Sequence, residues 1–316
     1  MKNLLLILFV LNVSTSFGQE RVAERVSYYN DKTLLTAWLI KPGKGEYPAV
    51  VFQQGSGGYS FDGYDKAAWG PHGYYIEDVL LKAGYAIMYC NKRGLGGSKG
   101  NWKRNDFYGR ADDAYAAVEY LRTRTDIEGS NIGISGHSQG GWVAQIAAAE
   151  HSDISFVIAL AGPTRGVMDE TLSFDRHMYQ CDGRSGEDLD NRIDRRRKGR
   201  QFNAKIGKAL PFYGTAWHWS LIANYEHDQV LRDNQQPTLL LFAEYDTNVD
   251  AHENIDYLNK VFNNEVPDNY QVEVMTGGQH GFYQVDNRCV GWDEAMESSF
   301  DPEFQTIITH WVKQLK

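Results

Sequence analysis

Five residues, Gly136-His137-Ser138-Gln139-Gly140, constrain this chain more than any others. Before them runs Asn131-Ile132-Gly133-Ile134-Ser135, short and partly β-branched. After them comes the apolar, Ala-rich run from Gly141 to Ala149. The pattern predicts a strand that turns sharply into a helix at Ser138. Glycines on both sides permit such a turn, because a Cβ there would clash. The turn lifts the Ser138 hydroxyl out at the strand's C-terminal end, and the helix start sets backbone N–H groups beside it. Glycine makes up 31 of 316 residues, so G-x-S-x-G alone also reads as a surface turn. The strand and helix patterns around it, and two signals downstream, decide for a nucleophile.

A serine hydroxyl needs a base within hydrogen-bond reach, and the base needs an orienting partner. For a serine on a strand–turn–helix, these follow in the order acid, then histidine. Pro237 to Ala243 reads as a buried parallel strand and ends in Glu244-Tyr245-Asp246. Asp246 is the expected acid, just past the strand's C-terminal end, with Glu244 and Asp250 as competitors. The alternating strand Tyr270 to Met275 runs into Thr276-Gly277-Gly278-Gln279-His280-Gly281. His280 is the expected base, in a glycine-flanked loop. Only His310 lies further along, inside a terminal helix pattern. The oxyanion donors are expected from the Gln139 N–H and from the loop Gln54-Gly55-Ser56-Gly57-Gly58 that follows strand Ala49–Gln53. Ser56 N–H is the first choice and Gly57 the second. The bland alternative is a glycine turn without a ligand.

Elsewhere, strand and helix patterns alternate. Arg25 to Tyr29 and Leu34 to Ile40 read as an opening hairpin. A helix around Tyr75–Lys82 leads to strand Ala86–Cys90, and a long basic glycine loop from Asn91 to Gly100 follows. Phe107 to Thr123, Glu253–Phe262 and Pro302–Leu315 read as helices, and Phe156 to Ala161 as a strand. This rhythm predicts an α/β fold, a mostly parallel, doubly wound sheet opening with an antiparallel hairpin. Residues 19–161 and 237–316 would form its core. Residues 162–236 break the rhythm and read as a helical insertion, a lid. The basic run from Arg192 to Arg200 reads as a solvated helix face paired with Asp182, Glu187, Asp188 and Asp190. An anion-binding lid is the sharper alternative. The aromatics Tyr213, Trp217 and Trp219 either pack the lid onto the body or line a substrate pocket.

Composition narrows the function. A net charge of −9 argues against a nucleic-acid footprint. Lys2, the apolar run Leu4–Leu11 and small residues up to Gly18 read as a signal peptide at 1–18, with a retained anchor as the alternative. An exported, periplasmic or secreted protein is expected, with no membrane span after removal of that segment. Of the three cysteines, Cys90 reads as a core thiol, and Cys181–Cys289 is a conceivable disulfide. No Cys/His spacing suits a metal, and no G-x-G-x-x-G or phosphate loop appears, so no cofactor is expected.

The glycine loop at 54–58, Asn91-Lys92-Arg93-Gly94 with Gly97-Ser98, Gly136 to Gly140, Ala243 to Asp246 and Gln279-His280-Gly281 together resemble the secreted bacterial α/β-hydrolases of the dienelactone-hydrolase-like and serine-aminopeptidase-like branch. The resemblance covers nearly all of the chain beyond residue 18. It departs at Gln54, where many relatives have histidine. It implies an α/β-hydrolase fold with Ser138 as nucleophile, Asp246 as acid and His280 as base. The expected activity is a carboxylesterase-like serine hydrolase working through an acyl-enzyme, on a small acyl ester. The alternatives are a peptidase acting on short peptides and a non-catalytic binding protein on the same scaffold.

Overall fold

The computed structural model describes residues 21–61, 70–210, 214–300 and 302–315. The predicted leader at 1–18 and Tyr213 lie outside them. Alternation sets the first two strands. β1 (Val22–Asn30) and β2 (Thr33–Lys41) pair antiparallel from Val22↔Lys41 to Asn30↔Thr33. Asp31 makes the turn at φ 50°, a left-handed conformation that a short polar side chain tolerates. β1 is a sheet edge, so Val26 and Tyr28 are buried while Arg25, Ser27 and Tyr29 face water.

The inner strands are largely buried, most of them as apolar runs, because both of their faces are covered. They are β3 (Tyr47–Gln53), β4 (Ala86–Cys90), β5 (Ile127–His137), β6 (Val157–Leu160) and β7 (Thr238–Ala243), with β8 (Tyr270–Met275) at the far edge. Every residue of β4, β6 and β7 is buried. The order across the sheet is β1-β2-β4-β3-β5-β6-β7-β8. β2 joins β4 antiparallel, and all later pairs are parallel. The chain leaves β3 towards β4 and then crosses back to β5 on the other side. That reversal is a switch point, where an open α/β sheet leaves a crevice at its carboxyl ends. The 54–58 loop and Ser138 both emerge there.

Residues one apart in a strand face opposite layers. Val51 and Ile134 pack against α2 (Phe107–Arg122) and α3 (Gln139–Glu150) through Ala111, Ala114, Val143 and Ala147. Val50, Ile87 and Leu239 pack on the other face, with Val79 and Leu80 of α1 (Gly70–Lys82). Adjacent strands β6 and β7 are joined through α4 (Val167–Cys181), α5 (Gly186–Ala209), α6 (Gly214–Ile222) and α7 (Asp228–Asp233). Within that predicted insertion, α7 packs on the body, its Leu231 against Leu240 and Phe242. The long α5 buries only Leu189, Ile193, Ala204 and Gly207. Its charges pair locally, Arg192 with Asp188 at 3.0 Å, Arg176 of α4 with Asp190 at 3.0 Å, and Lys198 with Asp194 at 2.6 Å. This is a solvated face, in which each exposed pair contributes about 0–1 kcal/mol.

After β7 the chain forms α8 (Ala251–Val261), the short α9 (Trp292–Ala295) and α10 (Pro302–Gln314), which adds Phe304 and Ile308 to the core over α1. Cys181, at the end of α4, is bonded to Cys289, with Cα atoms 5.3 Å apart across 108 residues of sequence. Cys90 is a buried free thiol, pushed up to about 12 by burial. Among the described residues no helix is long and apolar enough to cross a membrane.

Candidate active site

Ser138 sits between β5 and α3 with φ 54° and ψ −124°. Holding a non-glycine residue there costs on the order of 1–3 kcal/mol. The surroundings enforce it: Ser138 N–H donates to Leu160 O at 2.9 Å, and Gly141 N–H donates to Ser138 O at 2.8 Å. The flanking glycines are sterically required. A Cβ on Gly136 would lie 2.0 Å from Gly140 O, and one on Gly140 would lie 2.2 Å from Gln53 O. The elbow therefore has glycine where β5, α3 and the end of β3 close on one another.

His280 and Asp246 meet across the loops that follow β8 and β7. His280 Nδ1 lies 2.7 Å from Asp246 Oδ2. A carboxylate only accepts, so Nδ1 carries a proton, and in the neutral ring Nε2 keeps its lone pair. Asp246 is fully buried, and its Oδ1 accepts from the N–H groups of Asn248 at 2.7 Å and Val249 at 2.9 Å. The competing acids are engaged elsewhere. Glu244 accepts from Gly277 N–H at 2.8 Å, and Asp250 caps α8 through Glu253 N–H at 3.0 Å. His280 O accepts from His137 Nε2–H at 2.8 Å, which ties the histidine loop to the elbow. Among the described residues no hydrogen bond joins Ser138 to His280.

A cavity of about 450 Å³ opens over Ser138, with Ser56 and Gln139 in its wall. Gly57 is not in that wall. Its carbonyl turns away to accept from Lys92 Nζ at 2.8 Å, at a φ of +90°. Two buried cations hold this loop: Lys92, from the Asn91-Lys92-Arg93-Gly94 motif, and Arg110, which the sequence patterns did not single out. Lys92 Nζ also donates to Gly55 O, while Arg110 donates to Gln54 O at 2.7 Å and to Gln139 Oε1 at 2.6 Å. Burial, with Arg110 nearby, pushes Lys92 well below the usual lysine range, and burial lowers Arg110 to about 10. Three carbonyls of the 54–57 stretch are thus bound by cations, which fixes the path of the loop. The signal for Arg110 was present in the sequence: it falls on the core-facing stripe Phe107, Arg110, Ala111, Ala114 of α2, where a charge needs a buried partner.

The helices between β6 and β7 roof the cavity. Trp219 lines it, its indole N–H donating to Arg200 O at 2.8 Å with the Arg200 guanidinium stacked 5.5 Å over its ring. Trp217, expected beside it, does not line the cavity. Two residues apart on α6 are about 200° apart around the helix, so both cannot face one way. Trp142 and Phe174 supply aromatic wall instead. Arg200 pairs with Asp175 at 2.7 Å, so this arginine of the basic run is neutralised and offers no free anion site. Glu170 is a further residue that the sequence patterns did not single out. It is buried in the cavity wall, its Oε1 accepts from Asn254 at 2.7 Å, and its Oε2 has no hydrogen-bond partner among the described residues. Burial pushes its carboxyl up to about 8, against a lowering by Arg165. Away from the cavity, Asp112, Glu150 and His151 lie within 4.8 Å of one another at the surface.

The family model described as X-Pro dipeptidyl-peptidase (S15 family) matches residues 31–281, so the chain belongs to that family. Among curated proteins it is similar to YtaP of Bacillus subtilis (strain 168), provisionally named a hydrolase, at 28% identity over 162 residues, 45% of this chain and 54% of that one. It is also similar to the uncharacterized peptidase YuxL of the same organism, at 30% identity over 133 residues, 39% of this chain and 19% of that one. The chain thus spans about half the length of YtaP and about a fifth of YuxL. Among solved structures, the Pyrococcus furiosus esterase Pf2001 superposes with a TM-score of 0.61 at 18% identity, covering 93% of this chain and 91% of that one. The fold is the α/β-hydrolase fold.

Proposed function

We propose that this member of the S15 family is a serine hydrolase that cleaves acyl esters. The observation that carries the reading is a strained serine at the elbow and, in a loop tied to that elbow through His137, a histidine whose Nδ1–H is bound by a buried carboxylate. In this reading Ser138 Oγ attacks the acyl carbonyl and passes its proton to His280 Nε2. Asp246 orients the ring and stabilises the imidazolium. The N–H groups of Gln139 and Ser56 hold the oxyanion, with Gly57 as the alternative donor. The C–O bond to the alcohol breaks and the alcohol leaves with the proton from His280. Water then adds to the acyl-enzyme with His280 as base, releasing the acid and restoring Ser138. Removal of residues 1–18 and export are part of the proposal, supported by the Cys181–Cys289 disulfide, a bond that persists in oxidising compartments.

Glu170 favours a second reading, a peptidase. The buried Glu170 carboxyl in the wall of the serine cavity would give up its proton to pair with the free amine of a short peptide. Hydrolysis of p-nitrophenyl acetate, butyrate and octanoate by residues 19–316, with Ser138→Ala alongside, tests the first reading. The variant is expected to lose at least about 10⁴-fold in kcat. Equal turnover by both proteins would sink the mechanism. Turnover of aminoacyl-naphthylamides in preference to esters would give the peptidase reading the lead.

A further inference from the structure

A second cavity, of about 240 Å³, shares Phe174 and Asn248 with the cavity over Ser138. The two differ in what they hold. The first contains Ser138, Gln139 and Ser56, the groups that would meet the acyl carbonyl. The second contains His280 and Gln279, and its outer wall is Met178, Val290, Trp292 and the Cys181–Cys289 disulfide. In ester cleavage the histidine hands its proton to the departing oxygen, so the departing alcohol must lie on the histidine side.

We propose that this second cavity is the leaving-group subsite, and that it takes an apolar, aromatic alcohol. The proposal rests on the serine-esterase reading above. Its wall chemistry supports it. Met178 is 43% exposed and Trp292 is 40% exposed, so two large apolar side chains stand at the rim with apolar surface left to cover. Arg288 reaches the same cavity but pairs with Asp250 at 3.3 Å, so an anionic group finds no free cation there. One polar contact is on offer. Gln279 is 6% exposed, its Oε1 accepts from Gly281 N–H, and its Nε2 is buried without a partner among the described residues. That donor suits a ring oxygen substituent rather than a charge. The wall is drawn from α4 and from the loop before α9, segments the disulfide joins across 108 residues. The subsite therefore depends on that bond.

The test holds the acyl group constant and varies the alcohol. Methyl, benzyl and 2-naphthylmethyl butyrate are followed by pH-stat with residues 19–316, with Trp292→Ala and with the double variant Cys181→Ser/Cys289→Ser. Wild type should prefer the aromatic alcohols over methyl in kcat/KM. Each variant should lower the ratio of 2-naphthylmethyl to methyl by about tenfold, the scale expected when part of a pocket's apolar wall is removed. Trp292 is partly exposed, so its truncation keeps the test available if the double variant fails to fold. An unchanged ratio in Trp292→Ala, with turnover still dependent on Ser138, overturns the subsite and leaves the esterase reading standing. Absence of turnover of all three esters by wild type removes that reading and the subsite with it.

Discussion

The elbow and the helices that roof it solve opposite problems. At the elbow, backbone meets backbone. Gly136, Gly140 and the end of β3 approach so closely that no side chain fits, and Ser138 is driven to φ 54°. In α5 little is enclosed, and half of its residues are charged, many of them paired with neighbours on the same or the preceding helix. One region is fixed by sterics and tolerates no atom more. The other is held by a few buried apolar side chains and is open to change. The groups assigned to bond breaking thus sit in the rigid part. The walls that would select a substrate, Glu170, Phe174, Arg200 and Trp219, come from the adaptable part.

The sharpest way to break this contrast is Gly140→Ala. The added Cβ would lie 2.2 Å from Gln53 O and 2.8 Å from Gln54 O, so β3, its loop or α3 must move. The expected cost is at least about 3 kcal/mol, with activity lost even in the folded fraction. Urea unfolding midpoints and ester turnover check it. Near wild-type values for both would show that the elbow is looser than its close approaches indicate.

Glu170→Gln probes the roof, with a smaller effect that depends on pH. The folded-state carboxyl is pushed up to about 8, above its unfolded value of about 4.5, chiefly by burial. A raised carboxyl favours the fold while it is protonated. Its contribution is complete below about pH 4.5 and is lost as pH rises through 8. Glutamine does not titrate. Between pH 4.5 and pH 9 wild type should lose on the order of 2–4 kcal/mol more stability than the variant. Parallel urea curves at the two pH values decide it. Identical losses would mean the carboxyl is solvated in solution.

Lys92→Met lies between the regions, since Lys92 grips the loop that faces the elbow. Its Nζ donates to Gly55 O and Gly57 O. Methionine fills similar space without donors. If Ser56 N–H serves the oxyanion, releasing those carbonyls should lower kcat about 10–100-fold and move KM much less. A change confined to KM would assign the loop to substrate binding instead.

These differences explain what the sequence could tell. The elbow is legible because its constraint is local: glycine, serine and glycine within five residues between a strand pattern and a helix pattern. Asp246 is legible because it follows a buried apolar strand and His280 because it follows an alternating one, and chain order then ranks them above Glu244 and His310. Both residues arrive at the same sheet edge, 2.7 Å apart. The roof is illegible for the opposite reason. Trp217 and Trp219 are alike as residue types, and only the rotation of α6 against the body sets which one faces the cavity. Glu170 reads as one more acid in a charged stretch until α4 is docked. Lys92 stands in a quoted motif and Arg110 on the core-facing stripe of α2, but the backbone carbonyls they hold leave no mark in a residue pattern.

The smallest expected effect tests the open end of the contrast. Gly199 lies within α5, with no atom within 4 Å of the position its Cβ would take and no left-handed φ to forbid a side chain. Nothing in the packing calls for glycine there. Gly199→Ala should therefore stabilise the protein by about 0.5–1 kcal/mol, through helix propensity and a less flexible unfolded chain. If α5 unfolds together with the body, the gain appears in the global urea midpoint. If it instead appears only as slower proteolysis or slower amide exchange within 186–209, α5 opens on its own, as its few buried residues allow. The same added methyl group would then be ruinous at position 140 and helpful at 199, because one site is closed by backbone and the other faces water.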